Sequence, residues 1–311
     1  MAPERAFAPA CAYLFPGQGS QYVGMGRHLS EEFPVARDVF AQADDVLGIP
    51  LSRLCFEGPA DVLNDTLNTQ PAILTTSVAA LRVLEDRDSM LPAYVAGHSM
   101  GEFSALVACG AVAFGEALRL VRQRGRLMKR SGRRNQGGMA AVIGLDRPPV
   151  EEACAVAREE TGAYVGLAND NCPGQIVISG ATEALRRAIE LADSCGAKRV
   201  IRLPVSIAAH SPLMAEAAAS FSRHLDAAAL REPHPPIVVN ATARPLTEPA
   251  SIRDALSRQL TSPVRWTESV RWMIAHGVDR FLEVGPKSVL TGLLRRIDRS
   301  VEGVSTADLL A

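Results

Sequence analysis

One serine lies in a pattern typical of a nucleophile. Residues 97–101 read Gly-His-Ser-Met-Gly, after a short apolar run at 94–96 and before a helical pattern at 102–109. In a nucleophile elbow, flanking glycines permit a sharp turn from strand to helix, which holds the serine hydroxyl above the sheet. The helix N-terminus offers unpaired N–H groups to a developing oxyanion. So short a pattern is also found in plain Gly/Ser turns, but the strand–turn–helix context favours Ser99 as a nucleophile.

A serine nucleophile needs a general base, and the chain has six histidines. Three of them lie in helical patterns or between two prolines, where packing or surface roles are common: His224, His234 and His276. His98 directly precedes the serine and should point away from its hydroxyl. His210 follows a strand-like run at 205–209 and precedes Ser-Pro, which is typical of a helix start. A histidine at a strand end that faces a cleft suits a general base, although the position alone fits a structural role equally well.

Arg124 lies on the apolar face of a helix predicted at 115–129. The residues three and four positions before and after it are all apolar: Leu120, Val121, Leu127 and Met128. Buried guanidinium groups are rare unless paired, and breaking such a pair costs about 3–5 kcal/mol. The partner is either a protein carboxylate or the anionic group of a ligand. From physics alone, the protein partner is the commoner case.

The same stretch carries many further cations with few acids nearby: Arg119, Arg122, Arg126, Lys129, Arg130, Arg133 and Arg134. One interpretation is a solvated helix face. The other is a docking surface for an acidic partner or for phosphate groups. Charge spacing does not separate the two.

The elements that must position these residues alternate along the chain. A short apolar strand at 10–15 closes at Pro-Gly, and helical patterns follow at 35–47 and 71–84. Further predicted strands lie at 139–145, 164–168, 175–179, 198–204, 237–240 and 280–284, with helices at 149–160 and 182–195. The order β-α-β-β-α-β between 139 and 204 is typical of a ferredoxin-like unit.

Composition narrows the function classes. The 311 residues carry 33 Lys+Arg and 34 Asp+Glu, a net charge of −1, which removes the bulk electrostatic case for nucleic-acid binding. The six cysteines include no Cys-x-x-Cys pair, so neither a zinc site nor a disulfide framework is predicted. No apolar run approaches the roughly 20 residues that cross a bilayer, and residues 1–10 lack a secretory signal. We expect a cytoplasmic protein without a bound metal and without membrane partners.

With these residues placed, the chain resembles the malonyl-CoA:acyl carrier protein transacylase family, most of all the discrete, trans-acting acyltransferases of fatty acid or polyketide synthesis. The likeness covers nearly the whole chain. It rests on ordered motifs at 15–21, 69–72, 97–102, 124–125, 169 with 173–175, 210–211, 259 with 262–264, and 283–286. A set of motifs in this order is far more specific than any single one.

The resemblance implies a role for each candidate. Ser99 would be acylated by an acyl-CoA thioester, and His210 would take and return its proton. The main-chain carbonyl of Gln259 would orient the histidine, which makes a Ser–His dyad rather than a triad. Backbone N–H groups of Gln18 and Met100 would form the oxyanion hole, where losing one donor typically costs ~10²–10³ in rate.

Arg124, by the same resemblance, would form a bidentate pair with the free carboxylate of malonyl, a geometry that lysine does not copy. This reverses the preference for a protein partner. The family likeness also assigns His98, Gln70, Ala209 and Asn169 to the substrate site. The implied fold is α/β: an α/β-hydrolase-like core with a parallel sheet at 1–133 and 206–311, and a smaller ferredoxin-like subdomain at 134–205.

No bound cofactor is implied. Malonyl-CoA is the expected donor, and the phosphopantetheine thiol of an acyl carrier protein, free or synthase-borne, is the expected acceptor. Ala209 departs from the family pattern, because malonyl-selective relatives often carry phenylalanine or serine before the histidine. A smaller residue there would admit a bulkier 2-substituted malonyl group, which stands behind malonyl as the predicted substrate.

Two other functions compete with transfer. A thioester hydrolase would resolve the same acyl-serine with water, as in proofreading enzymes, but has little need for a carboxylate clamp at Arg124. A non-catalytic docking partner of a synthase would have no need for Ser99, His210 and Arg124 together. Acyl transfer is therefore the predicted function.

Overall fold

Two β-sheets organise the protein, whose computed structural model describes residues 10–87 and 91–310. The strands in these ranges are β1 (Ala10–Phe15), β2 (Tyr94–Gly97), β3 (Gly137–Ile143), β4 (Val165–Cys172), β5 (Gln175–Ala181), β6 (Arg199–Arg202), β7 (Ile237–Val239), β8 (Arg244–Leu246), β9 (Val278–Glu283) and β10 (Glu302–Ser305). Residues 1–10 were expected to lack a secretory signal, and residues 1–9 of this segment lie outside the described residues.

Helices cover these sheets. They are α1 (Arg27–Glu32), α2 (Pro34–Leu47), α3 (Leu51–Glu57), α4 (Ala60–Asn64), α5 (Thr66–Asp86), α6 (Gly101–Ala108), α7 (Phe114–Arg134), α8 (Arg147–Thr161), α9 (Thr182–Ser194), α10 (Ala215–Ala227), α11 (Pro249–Gln259), α12 (Trp266–Ala275), α13 (Val289–Ile297) and α14 (Thr306–Leu309), with a 3₁₀ turn at Pro212–Met214. Within the described ranges, no helix is long and apolar enough to cross a membrane.

The larger sheet has the strand order β10-β9-β1-β2-β7-β8. All neighbouring strands are parallel except β8, which is antiparallel to β7. Alternate residues of β1 enter different cores: Tyr13 and Phe15 join one cluster, and Ala12 and Leu14 join the other. Because helices cover both faces, β1 is apolar along its length rather than alternating. Its carboxyl end, beside that of β2, forms one edge of the active-site region.

The smaller sheet is antiparallel, with the order β4-β5-β3-β6. Helices α8 and α9 pack together on it, around a separate core that includes Val142, Val150, Ile178 and Leu185. The chain order of the unit is β-α-β-β-α-β. The prediction of a mixed α/β chain with a parallel-containing sheet and a second sheet is confirmed.

The smaller sheet contacts the loop after α11 through the middle of β4. The Val264 amide donates to Ala168 O at 2.8 Å, and the Asp170 amide donates to Val264 O at 2.9 Å. Thr267 at the start of α12 donates its hydroxyl to the Asp170 side chain at 2.7 Å. The smaller sheet is thereby attached to the loop that follows α11.

Residues 205–209 form no strand, so the predicted strand before His210 is wrong. Strand β6 ends at Arg202, and Pro204 has no amide hydrogen with which to continue a ladder. The Val205 amide instead bonds Leu203 O at 2.8 Å, two residues back. Beyond this turn the chain is irregular and runs along the cavity described below.

Helix α5 begins five residues before the predicted start at Pro71, because Asp65 caps it by accepting from the Leu67 amide. Pro71 has no amide hydrogen, so it cannot donate to Leu67 O inside the helix. Arg122 of α7 donates to that oxygen at 3.2 Å. The proline is thus tolerated because a neighbouring helix satisfies the freed carbonyl.

Candidate active site

Ser99 lies in a sharp turn between β2 and α6. Its backbone has φ 53°, in the left-handed region. A Cβ on Gly97 would lie 1.9 Å from the Gly101 carbonyl carbon, and one on Gly101 would lie 2.2 Å from Phe15 O. The Ser99 amide donates to Asn240 Oδ1 at 2.7 Å, at the end of β7. The glycines therefore let the turn and the end of β1 approach closely, while Asn240 after β7 holds the serine amide. Ser99 is thereby fixed at the carboxyl ends of the parallel strands.

His210 contacts the serine hydroxyl: its Nε2 lies 2.9 Å from Ser99 Oγ. Nδ1 lies 3.0 Å from Gln259 O and 3.1 Å from Ser262 O. Because carbonyl oxygens only accept, Nδ1 carries the hydrogen and Nε2 presents its lone pair to the serine. Burial and the charge of Arg124 lower the pKa of His210 to about 3, so the ring is neutral at physiological pH. Its φ is 58°, a second left-handed residue at the site.

Gln18 and Met100 both border the cavity beside Ser99. Met100 directly precedes α6 and follows the nucleophile in the turn. Gln18 follows the Pro-Gly turn after β1, and its Oε1 accepts from the Thr66 hydroxyl at 2.6 Å. The two residues expected to supply the oxyanion hole thus flank the serine from two different loops.

Arg124 is only 1% exposed and is held by neutral oxygens. Nε and Nη2 donate to Gln259 Oε1 at 3.1 and 2.9 Å, and Nη1 donates to Gln70 Oε1 at 3.0 Å. Nη2 also lies 3.1 Å from Ser99 Oγ. Burial lowers the pKa of Arg124 to about 10, against the opposing effect of Glu102. Among the described residues it makes no ion pair with a carboxylate; the protein partner that physics alone favoured is not among the ion pairs of the structure.

Glu102, Asn240 and Asn171 contact the site and were missed by the sequence analysis. Glu102 is 2% exposed in the first turn of α6 and accepts from the Gln259 amide and from the Asn240 main chain. Burial raises its pKa to about 7. The sequence does contain a signal for Glu102, because an acidic residue directly after the second elbow glycine lies at a helix N-terminus, where a carboxylate is favoured. Nothing local marks the two asparagines, which approach from distant segments.

A cavity of about 280 Å³ opens beside Ser99. Besides Ser99, Gln18 and Met100, the structure brings five predicted site residues to its wall: His98, Arg124, Asn169, Ala209 and His210. Much of the remaining wall is apolar: Met128, Met139, Ala141, Val177, Leu203, Val205 and Ile207. His98 places its Nε2 2.8 Å from Asn171 Oδ1, and its ring makes an edge-type contact with the ring of Trp266.

Gln70 and Gln259 do not line this cavity and lie behind the guanidinium of Arg124 instead. Across residues 10–87 and 91–310, no group of His, Cys, Asp or Glu side chains could hold a metal ion.

Several basic residues around α7 have protein partners. Lys129 pairs with Asp65, and Arg130 and Arg134 both pair with Glu216. Arg119 pairs with Glu116 on the same helix, and Arg122 donates to Asn68 and Leu67. In the described part of the chain, Arg126 and Arg133 form no ion pair. The basic stretch is therefore partly neutralised within the protein.

Comparison with known proteins agrees with this geometry. The acyl transferase domain family matches residues 12–311. The malonyl CoA-acyl carrier protein transacylase of Bacillus subtilis (strain 168) is 45% identical over 297 residues, which are 96% of this chain and 93% of that one. The crystal structure of an acyl carrier protein S-malonyltransferase from Vibrio cholerae has 44% identity and a TM-score of 0.93, covering 97% of this chain and 99% of that chain.

A malonyl-transacylase structure in complex with its type II polyketide synthase acyl-carrier protein is similarly close. It has 42% identity and a TM-score of 0.93, with 95% of each chain covered. The family match spans almost the whole sequence, and the relatives align over nearly their full length. This chain therefore belongs to the acyl transferase domain family.

Proposed function

We propose that this protein is an acyltransferase that moves a malonyl group from coenzyme A to the phosphopantetheine thiol of an acyl carrier protein through an acyl-serine intermediate. One observation carries the proposal. Ser99 Oγ lies 2.9 Å from the unprotonated Nε2 of His210 and 3.1 Å from Nη2 of the buried Arg124. A nucleophile, its base and a fixed cation thus meet at one atom, which suits an acyl group that carries its own carboxylate.

In the first half-reaction, Ser99 Oγ attacks the thioester carbonyl and its proton passes to His210 Nε2. The main-chain amides of Gln18 and Met100 would stabilise the oxyanion. Collapse breaks the C–S bond, and the imidazolium returns the proton to the departing CoA thiolate. In the second half-reaction, His210 takes the proton of the carrier thiol, the thiolate attacks the serine ester, and Ser99 regains its proton. No cofactor enters either step.

Arg124 would bind the free carboxylate of malonyl. Gln70 and Gln259 hold the guanidinium through amide oxygens, which orient the planar group without neutralising it. An incoming carboxylate would replace the Nη2 contact with Ser99 Oγ and release the hydroxyl for attack. The bidentate geometry favours arginine over lysine.

The apolar wall of the cavity bears on the extender unit. Ala209 is a small residue next to His210, and Met139 and Val177 also line the cavity. A substituent at C2 of malonyl would contact such a wall. We infer malonyl as the primary substrate, with 2-substituted malonyl groups as the next class.

The proposal also covers the division of the chain into structural units and the cellular compartment of the protein. We assign the described residues within 1–133 and 206–311 to an α/β-hydrolase-like core and residues 134–205 to a ferredoxin-like subdomain. Support comes from the parallel strands around the elbow and from the β-α-β-β-α-β order of the smaller unit. The six cysteines are free thiols, five of them buried, which suits a reducing cytoplasm.

A carrier protein is the proposed acceptor. The similar transacylase that was solved with its type II polyketide synthase acyl-carrier protein supports this by likeness. Arg126 and Arg133, which form no ion pair among the described residues, remain available for an acidic partner.

Intact-mass analysis tests the function. We expect malonyl-CoA to add one malonyl group to the wild type and none to Ser99→Ala, and we expect the group to move to a holo carrier protein. Rapid loss of the adduct to water without transfer would make the protein a thioester hydrolase. No adduct from any acyl-CoA would favour a non-catalytic docking role. An adduct that persists in Ser99→Ala would overturn the mechanism.

A further inference from the structure

Glu102 is a buried carboxylate that the proposed chemistry does not use. It lies in the first turn of α6, three residues after the nucleophile, and is 2% exposed. Its Oε1 accepts from the Asn240 main-chain amide at 2.6 Å, and its Oε2 accepts from Gln259 Nε2. Both carboxylate oxygens are therefore engaged as acceptors. Burying an ionisable group at such a position is costly, so its contacts need a reason.

Gln259 is the residue through which Glu102 reaches the reacting groups. Its Nε2 donates to Glu102 and to Ser99 O, the latter at 3.0 Å. Its Oε1 accepts from Nε and Nη2 of Arg124, and its main-chain carbonyl accepts from His210 Nδ1. One glutamine thus contacts the nucleophile loop, the cation and the base. The orientation of its amide decides whether Arg124 faces an oxygen or an NH₂ group.

An ionised carboxylate reinforces that orientation, because it can only accept hydrogen bonds, as the Ser99 carbonyl also does. With Glu102 ionised, Nε2 of Gln259 must face the carboxylate, and Oε1 must face Arg124. The reversed amide would place NH₂ against the guanidinium and a lone pair against the carboxylate. Both contacts would then be repulsive in a buried site, where unpaired polar groups are costly.

We propose that Glu102 is a positioning residue which, as a carboxylate, sets the amide of Gln259 and through it the guanidinium of Arg124 for binding the malonyl carboxylate. This inference rests on the proposed function, since it concerns how that site selects its acyl group. Glu102 does not line the cavity and contacts no position that an acyl group would occupy. Its effect should therefore fall on selectivity for a charged acyl group more than on thioester chemistry in general.

Replacing Glu102 by glutamine tests this at nearly constant volume. Whichever way the new amide turns, its NH₂ group faces either the Asn240 amide or Gln259 Nε2, so one donor meets another donor. We expect the ratio of malonyl to acetyl loading of Ser99, as kcat/KM, to fall by about tenfold or more, because positioning errors in a buried site are amplified. The measurement is time-resolved intact mass with malonyl-CoA and acetyl-CoA.

Glu283→Gln is the matched control. Glu283 is also a fully buried carboxylate, at the end of β9 and outside the cavity, and it accepts from two main-chain amides at the start of α13, those of Leu290 and Thr291. Its loss should lower stability without changing the ratio of malonyl to acetyl loading. If the ratio of malonyl to acetyl loading falls equally in Glu283→Gln and Glu102→Gln, the positioning role of Glu102 is overturned and its contribution is to fold stability.

The pH profile of the wild type gives a second readout that does not depend on whether the variant folds. Burial raises the pKa of Glu102 to about 7, while Arg124 and the amides of Gln259 and Asn240 act to lower it. The pKa of His210, about 3, lies far below this range. Malonyl loading relative to acetyl loading should therefore increase as the pH rises through about 7, as the carboxylate forms. In Glu102→Gln this step should be absent.

The outcomes separate the two proposals. If the wild type is not acylated, both this inference and the proposed function fail. If the wild type loads malonyl while Glu102→Gln keeps its ratio of malonyl to acetyl loading, only the role of Glu102 is overturned. A wild-type ratio that is flat across pH 7 would overturn it as well.

Discussion

Replacing Arg124 by alanine should abolish efficient malonyl loading of Ser99 while leaving or raising the loading of uncharged acyl groups. The guanidinium is 1% exposed and is held by the amide oxygens of Gln70 and Gln259. It reaches Ser99 Oγ at 3.1 Å, so a carboxylate bound to it would lie beside the reacting atom. The alanine variant would leave that carboxylate buried without a partner, whereas an acetyl group would lose nothing.

The expected size follows from the burial. Removing one partner of a buried, hydrogen-bonded charge pair costs about 3–5 kcal/mol. At about 1.4 kcal/mol per factor of ten, this corresponds to a loss of roughly a hundredfold to several thousandfold in kcat/KM for malonyl-CoA. Arg124→Lys should lie between the alanine variant and the wild type, because lysine keeps the charge but not the planar fork.

The assay compares malonyl-CoA and acetyl-CoA by the rate at which each adds its mass to Ser99. Arg119→Ala serves as the control, because Arg119 lies on the same helix but is exposed and paired with Glu116. It should load both substrates as the wild type does. Malonyl loading by Arg124→Ala at close to the wild-type rate would refute the carboxylate clamp, and an equal loss for both substrates would assign Arg124 to the fold instead.

Three further predictions concern the base, the elbow and the stability. His210→Ala should slow acylation of Ser99 by about 10²–10⁴-fold, and a rate near that of the wild type would rule His210 out as the base. Gly101→Ala should lower both the melting temperature and acylation, because its Cβ would lie 2.2 Å from a main-chain oxygen of β1. Gly292→Ala is the control, since it has open space in α13 and should be neutral or stabilising by up to about 1 kcal/mol. Burial raises the pKa of Glu283 from 4.5 to about 6, so between these pH values the folded state holds a proton that the unfolded state releases. The free energy of unfolding of the wild type should therefore fall by about 2 kcal/mol relative to that of Glu283→Gln as the pH rises from 4.5 past 6. Denaturant titrations at pH 4.5 and 7.5 check this, and a difference that grows in the opposite sense would contradict it.

The elbow and Arg124 show what local pattern can predict. The glycines around Ser99 have steric requirements that any strand–turn–helix must meet, so the turn follows from five consecutive residues. The burial of Arg124 follows from the apolar residues one helical turn away in each direction. Its direct partners do not follow, because Gln70 and Gln259 are 54 and 135 positions away.

The context of His210 shows the opposite case. An apolar run at 205–209 has the composition of a strand, but Pro204 interrupts the ladder and the run lines a cavity instead. The apolar residues of this run are buried or partly buried, as those of a strand would be, and periodicity alone does not distinguish a strand from an irregular wall. Asn240 and Asn171 were missed for a related reason. Their side chains matter through contacts that only the assembled sheets create.

Ser99 and His210 both have φ values near +55°, a backbone region that ordinary side chains enter at a cost of about 1–3 kcal/mol each. Glycine would adopt the same backbone with far less steric cost. The two side chains proposed to carry the chemistry thus stand at two of the four non-glycine residues with positive φ in the described part of the chain, the others being Ala243 and Lys287. Selection for stability alone would favour glycine at Ser99 and at His210. Keeping these side chains on a strained backbone therefore lowers stability in return for the proposed activity.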